Sequence, residues 1–276
     1  MTPPPRTPLL TSREAELLRR ARDAGAASVE LSLDLQRSTS LVHLGAADWG
    51  WAERRFPYPD RVRERTIYAW ADGGFEPVAR YRNSLVKLVP TEWGAPTFEI
   101  DGIKMLPTAS VSPYLDAKRK VELVRPRGKT VLDTCGGLGY FAAWCLHGKA
   151  AAIFSYEKNA DVLWLRELNP WSPAPDPRLR LVHADVTAAV TALPDASIDA
   201  VLHDPPRFAI AGDLYSGHWY EQLARVTKRR GRMFHYTGAP NQVSAGRDVP
   251  GEVIRRLREA GFSADREGDG VLAVRR

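Results

Sequence analysis

From residue 111 onward, short apolar runs alternate with helical stretches, and most of these runs stop at an acid, a glycine or a proline. Strands separated by helices pair in parallel, because each connection must cross back over the sheet, and the crossing helices cover both faces. The spacing predicts helix 113–124, strand 129–133, a glycine turn, helix 138–147, strand 151–156, helix 159–168, strand 179–183, a short helix at 186–192, strand 198–203, helix 216–227, strand 231–236, helix 250–260 and strands 262–266 and 270–275. The last two strands flank the tight turn Gly268–Gly270 and read as an antiparallel hairpin. The expected fold is therefore α/β, an open seven-stranded sheet wound on both faces.

The first part of the chain has a different texture. Residues 1–9 are proline-rich and read as a loosely held tail. Residues 12–24 suit a short helix with Ser12 as its cap, and 28–44 alternate at period two, giving two strands about a turn near Gln36–Ser38. Between 48 and 110 lie Trp49, Trp51, Phe56, Tyr58, Tyr68, Trp70, Tyr81 and Trp93 among many prolines and glycines, with short strands expected at 65–70, 84–89 and 97–100. We expect two domains: residues 1–108, a small β-rich domain suited to binding substrate, and residues 109–276, the wound sheet. No apolar run is long enough to span a bilayer, and MTPPPRTPLL has no secretory core. Two cysteines, Cys135 and Cys145, make neither a disulfide framework nor a complete zinc site, so no metal and a reducing cytoplasmic setting are expected.

Open wound sheets bind ligands at the carboxyl ends of their strands. There the chain carries three acids. Asp133 ends the first strand and is followed at once by Cys135-Gly136-Gly137-Leu138-Gly139, where glycines let the backbone turn sharply into a helix N-terminus close to a ligand. A pyrophosphate would be repelled by that carboxylate, whereas a ligand bearing a sulfonium and an ammonium would not, so Asp133 favours S-adenosyl-L-methionine over a dinucleotide. Glu157, twenty-four residues on, ends the second strand with the spacing of one βαβ unit and suits both hydroxyls of a ribose. Asp185, just past the third strand, is suited to accept from an adenine amino group, though each acid taken alone also reads as a loop or cap residue.

With these residues in view, the sequence resembles the class I S-adenosylmethionine-dependent methyltransferases. VLDTCGGLGY, FSYEKN, HADV and DAVLHDPPRF are similar to that superfamily's first four motifs, with Cys135 standing where a glycine is usual. The resemblance implies a seven-stranded Rossmann-like methyltransferase sheet and cofactor contacts at Asp133, Cys135, Gly137, Gly139, Tyr140, Glu157, Lys158, Asp185 and Val186. SPYLDAKRKVELV, LNPWS, HDPPRF with DLYS, HYTGAPN and GRDV also resemble a group of predicted archaeal-type methyltransferases, a likeness that implies the reaction class and leaves the acceptor open.

In the superfamily, an Asp-Pro-Pro-aromatic turn serves methyl transfer to planar exocyclic amines. The carboxylate and a proline carbonyl accept the amine hydrogens, and the aromatic stacks on the extruded ring. Here Asp204, Pro205, Pro206 and Phe208 are the candidate catalytic residues, with Arg207 in the aromatic's usual place; the bland alternative is that the prolines merely stiffen a strand exit. Arg207, Tyr215, His235 and Tyr236 are candidate substrate contacts; a plain core role is the alternative for His235 and Tyr236, and Tyr215, Trp219 and Tyr220 read as a cover over the site, with core packing the alternative for two of the three. Carbon methylation of a pyrimidine needs a cysteine nucleophile, and no cysteine follows residue 145. The net charge of +6 and the aromatics beside Arg54, Arg55, Arg80 and Arg82 favour an RNA partner, with cytidine of rRNA or tRNA as the acceptor. A small-molecule N-methyltransferase, an aminopropyltransferase of the spermidine-synthase type and a non-catalytic RNA-binding protein are the alternatives. The sequence leaves the oligomeric state open.

Overall fold

Seven strands of the second half form one sheet: β1 (Thr130–Asp133), β2 (Ala152–Glu157), β3 (Leu179–His183), β4 (Ile198–His203), β5 (Thr227–Tyr236), β6 (Phe262–Glu267) and β7 (Gly270–Arg275). The structure is a computed structural model that describes residues 7–208, 210–238 and 248–276. Six helices accompany the strands: α1 (Pro113–Val124), α2 (Tyr140–His147), α3 (Ala160–Leu168), α4 (Val186–Ala189), α5 (Gly217–Val226) and α6 (Val249–Glu259). The strand order is β3-β2-β1-β4-β5-β7-β6. The first five strands are parallel, and β7 inserts antiparallel between β5 and β6. The chain winds outward from β1 to β3, then returns to β4 on the other side of β1. The reversal leaves a crevice at the carboxyl ends of β1 and β4, where Asp133 pairs in register with Leu202.

Both central strands read as apolar runs because both of their faces are covered: Val131, Leu132, Ala200, Val201 and Leu202 are fully buried. One core cluster joins Leu132 and Val201 to Trp219, Tyr220 and Leu223 of α5 and to Val253 and Leu257 of α6. The fifth strand starts earlier than the sequence suggested. Lys228-Arg229-Arg230 belongs to β5 and not to a loop, because Lys228 is held by Asp199 at 2.8 Å while an irregularity in the β4–β5 ladder takes up the extra residues. The short helix expected over 186–192 is one α-turn, Val186–Ala189, that tightens into a 3-10 turn, Val190–Ala192.

The chain divides into two compact units, Met1–Tyr114 with Trp164–Ser172, and Leu115–Leu163 with Pro173–Arg276. The first holds three small antiparallel sheets. Leu9–Leu10, Tyr68–Ala71 and Gly74–Pro77 form one; Ser28–Leu31, Ser40–Leu44, Asp48–Trp51 and Arg54–Pro57 a second; Ala79–Tyr81, Leu85–Val89, Thr97–Ile100 and Ile103–Lys104 a third. Residues 7–9 are therefore no tail: Leu9 and Leu10 are buried, Leu9 pairing with Ala69 and Leu10 with Tyr68. The helix Ser12–Asp23 is capped by Thr11, not Ser12, because Thr11 and Glu14 satisfy each other's orphan backbone N–H groups in a capping box. Trp49 and Phe56 are fully buried, and their rings lie 4.8 Å apart in a cluster that includes Trp70 and Phe75. Trp51 packs against the same cluster, whereas Tyr81 is 73% exposed. Within this unit Trp171 donates to the Leu35 carbonyl at 2.9 Å, and Arg80 lies 4.1 Å over the Trp164 ring.

Residues 1–6 and 239–247, with the ends of the HYTGAPN and GRDV runs, lie outside the described residues. Among the described residues no helix is long and apolar enough to cross a membrane.

Candidate active site

The glycine turn between β1 and α2 is built from backbone hydrogen bonds. Gly136 donates to the Tyr156 carbonyl at 2.7 Å, and Gly139 donates to the Gly136 carbonyl at 2.7 Å. Gly137 and Gly139 sit at φ +47° and +81°, the left-handed region that favours glycine, and Gly139 caps α2. Cys135 is half-buried in this turn, and burial pushes its thiol well above the usual range, so it stays protonated. Tyr140 is buried behind the turn.

The three acids take different positions. Asp133 is fully buried, and its Oδ2 accepts from Ser155 Oγ at 2.8 Å, which ties β1 to β2 beneath the turn. Glu157 lies at the surface of the crevice. Its Oε2 accepts from the Gly137 backbone N–H at 3.0 Å and its Oε1 from that of Asn159 at 2.8 Å. Asp185 is exposed and caps α4 through Thr187 N–H at 2.9 Å, a bond to the ionised form that, with the Thr187 hydroxyl, holds its carboxyl below the usual range. Lys158 is exposed, and its carbonyl meets His183 Nε2 at 3.2 Å; Val186 is buried under Asp185.

Two residues past the paired positions Asp133 and Leu202, the chain reaches Cys135 on one strand and Asp204 on the next. Asp204 keeps 16% of its side chain exposed. Facing it is a residue that sequence reasoning missed: Lys120 of α1, only 1% exposed. Its Nζ lies 2.7 Å from Asp116 Oδ2 and 3.4 Å from Asp204 Oδ2, and 3.8 Å from the centre of the Tyr236 ring. Arg119 extends the group by bridging Asp116 and Asp269. Burial pushes Asp204 above the usual carboxylate range, with Asp116 and Asp269 acting the same way and Lys120 opposing them. Asp204 and Asp116 together hold Lys120 above the usual lysine range despite its burial, and burial pushes Tyr236 up to about 12. The only sequence signal for the cluster is the helical i, i+4 spacing of Asp116 and Lys120.

Below the loop lies a buried imidazole layer. His203, the residue before Asp204, is fully buried, with Nδ1 2.7 Å from Thr134 Oγ1 and Nε2 2.9 Å from the Leu214 carbonyl and 3.2 Å from Trp219 Nε1. His235, expected as a possible pocket wall beside Tyr236, is also fully buried; it donates from Nδ1 to the Tyr236 carbonyl at 2.9 Å and accepts at Nε2 from Tyr220. The two rings lie 4.4 Å apart. Burial keeps both neutral, lowering His203 to about 4 and His235 well below the usual range. Tyr215 is buried too, and its hydroxyl donates to the Pro206 carbonyl at 3.1 Å, fixing the second proline. Phe208 packs edge-on against Tyr215 at 5.4 Å, and Arg207 points to solvent. A groove of about 640 Å³ opens beside Phe208 and Tyr215, walled by Val249, Glu252, Val253 and Arg256.

A parallel sheet of this order, with the last strand inserted antiparallel between the fifth and sixth, is a Rossmann-like fold that several solved structures share. Solved structures with this likeness include spermidine synthase from Thermotoga maritima (TM-score 0.55, 16% identity, 74% of this chain and 75% of that one). MNMC2 from Aquifex aeolicus is another (TM-score 0.51, 18% identity, 71% of this chain and 72% of that one). No protein-family model matches the sequence. The chain is 40% identical over 217 residues, 77% of its length and 74% of the other's, to the uncharacterized protein MJ1233 of Methanocaldococcus jannaschii, and it belongs to the same family as that archaeal protein.

Proposed function

We propose that the protein is an S-adenosylmethionine-dependent methyltransferase that modifies an exocyclic amine of an RNA base, cytidine in rRNA or tRNA being the favoured acceptor. The observation that carries this reading is Asp204 on its rigid Pro205-Pro206 loop, directly across the switch point from the glycine turn. The donor set fits S-adenosylmethionine. Glu157 offers a carboxylate at the ribose position, Asp185 is exposed at the adenine position, and the turn has no side chain at Gly137 or Gly139 to hinder close approach. Asp133, fully buried, acts by holding the turn through Ser155.

When bound, that group supplies an electrophilic methyl carbon. Asp204 accepts the hydrogens of the amine, so the nitrogen lone pair is withdrawn from the ring and aimed at the methyl. As the N–C bond forms and the C–S bond breaks, with its electrons staying on sulfur, Asp204 takes the proton the nitrogen sheds. Phe208 offers a face on which the ring stacks, beside the groove. The net charge of +6 over the whole chain favours a polyanion partner, and exposed Tyr81 offers a base a ring to stack on within residues 1–108.

The likeness to spermidine synthase favours aminopropyl transfer to an aliphatic amine as the second reading. The test compares nucleosides, by mass spectrometry, in RNA from cells with the wild-type gene, without it, and with Asp204→Ala. A methylated cytidine present only with wild type supports the proposal. No difference in any nucleoside, together with aminopropyl transfer by the purified protein, sinks it.

A further inference from the structure

A lysine whose side chain is 99% hidden, with two carboxylates and an aromatic face around its ammonium, is an expensive feature for a fold to keep, since a buried charge must be fully compensated. We propose that Lys120 is a positioning residue for Asp204: it fixes one carboxylate oxygen, leaves the other for the acceptor, and sets its charge against those of Asp116 and Asp269 around that carboxylate. The inference rests on the reading of Asp204 as the acceptor of amine hydrogens.

The geometry supports this division of labour. Oδ2 of Asp204 lies 3.4 Å from Lys120 Nζ, and 16% of the Asp204 side chain stays exposed just past the carboxyl end of β4. Asp116, 5% exposed and one helical turn before Lys120, holds the ammonium more tightly, at 2.7 Å, and so keeps it from swinging into the site. Tyr236 of β5 closes the other side. Lys120 is not the base. Asp204 and Asp116 hold it above the usual lysine range, so it carries no free lone pair at physiological pH. Among the described residues, the titratable groups that interact with Asp204 are Lys120 and Asp116 of α1, Asp269 of the β6–β7 turn, Tyr236 of β5 and Cys135 of the glycine turn, with Arg119 held by Asp116 and Asp269. Of those acting on Asp204, Asp116 and Asp269 favour its protonation, and Lys120 disfavours it.

Two substitutions therefore act in opposite directions. Lys120→Met removes the opposing charge and raises the pH at which Asp204 ionises. Asp116→Asn removes a like charge and lowers it. Lys120→Arg keeps the charge and changes it least.

The experiment uses full-length wild type, Lys120→Met, Lys120→Arg, Asp116→Asn and Asp204→Asn. Each is incubated with S-adenosylmethionine and RNA from cells lacking the gene, and the rates of nucleoside methylation are measured from pH 6 to 10. Lys120→Met should be at least tenfold slower at pH 7 and recover as pH rises, its acid limb displaced upward. Lys120→Arg should stay within a few-fold of wild type with the limb unmoved, and Asp116→Asn should move the limb down. An unmoved limb in both Lys120→Met and Asp116→Asn overturns the proposal, as does a uniform loss at every pH in Lys120→Met and Lys120→Arg alike. Should Lys120→Met not fold, Asp116→Asn and Lys120→Arg decide the matter by the same limbs.

A readout free of activity separates this idea from the functional one. The carboxyl carbon of Asp204, followed by NMR in aspartate-labelled protein and assigned through Asp204→Asn, should titrate higher in Lys120→Met and lower in Asp116→Asn. If those shifts are found while no RNA nucleoside is methylated, the RNA reading fails and Lys120 keeps its role. If methylation depends on Asp204 while its titration ignores Lys120, the positioning role fails and the RNA reading stands.

Discussion

The imidazole layer under the Asp-Pro-Pro loop should make the fold sensitive to mild acid in a narrow window. His203 is fully buried and protonates at about 4 in the folded chain, against about 6.5 when unfolded. Its folded value is depressed, so the unfolded state binds the proton more readily. The contribution to stability is complete above about pH 6.5 and is lost as pH falls from there toward 4. Two and a half units correspond to about 3 kcal/mol, and His235 adds in the same direction. The cause is burial, which penalises the charged ring in an interior site, while the Leu214 carbonyl 2.9 Å from Nε2 favours the protonated form and offsets only part of that penalty. Asp204, shifted upward by burial, works in the opposite sense. The partly buried Asp176 and Glu252, both lowered to about 2, lose their contributions mainly below roughly pH 4.5, the lower end of the assay. The assay is thermal unfolding of wild type and His203→Gln from pH 8 to 4.5. For a chain of this size, wild type should lose roughly 6–12 °C. His203→Gln should start lower, for want of the Thr134 contact, and lose distinctly less. Equal losses in the two proteins would refute the account.

Other outcomes follow from the crevice. Glu157→Ala removes the carboxylate we propose for the ribose and should weaken S-adenosylhomocysteine binding about ten- to hundredfold in calorimetry, roughly 1.5–3 kcal/mol. Asp204→Ala should leave that binding nearly unchanged and lower kcat on the order of a hundredfold in single-turnover methylation of RNA. Phe208→Ala should chiefly raise KM for RNA, since a stacked base is held by roughly 1–3 kcal/mol, and a pure kcat effect would argue against stacking.

Most of the wound sheet was legible, and the reason is physical. Strands buried on both faces must be short apolar runs, and the crossover helices enforce their rhythm, so α1, β3, β4 and β7 fall where the spacing put them. The first unit was harder. Its hairpins at Asp72-Gly73 and Asp101-Gly102 carry turn residues suited to two successive positive φ angles, but the hairpin Trp51–Arg54 turns through Ala52-Glu53, at φ +47° and +61°, with no such signal. Within the site, Asp204 and Glu157 stand at strand ends, where the topology makes any acid conspicuous. Lys120 was hidden because it follows Lys118 and Arg119 in a charged helical run that reads as solvated surface. Only the return of β4 beside β1 brings Asp204 against it, and no local pattern encodes that meeting.

The first compact unit is not one stretch of chain: it includes Trp164–Ser172, which arrives after β1, β2 and most of α3 have been made. During synthesis, residues 1–114 must therefore wait for residue 171 before the Leu35 carbonyl meets its indole partner, and the early hairpins spend that interval incomplete. The same interleaving constrains ancestry. A crossover at a single junction would hand a descendant one unit stripped of a segment and the other burdened with it. A lineage carrying this arrangement should thus inherit both units together, and relatives that lack the first should also have a rewritten stretch between α3 and β3.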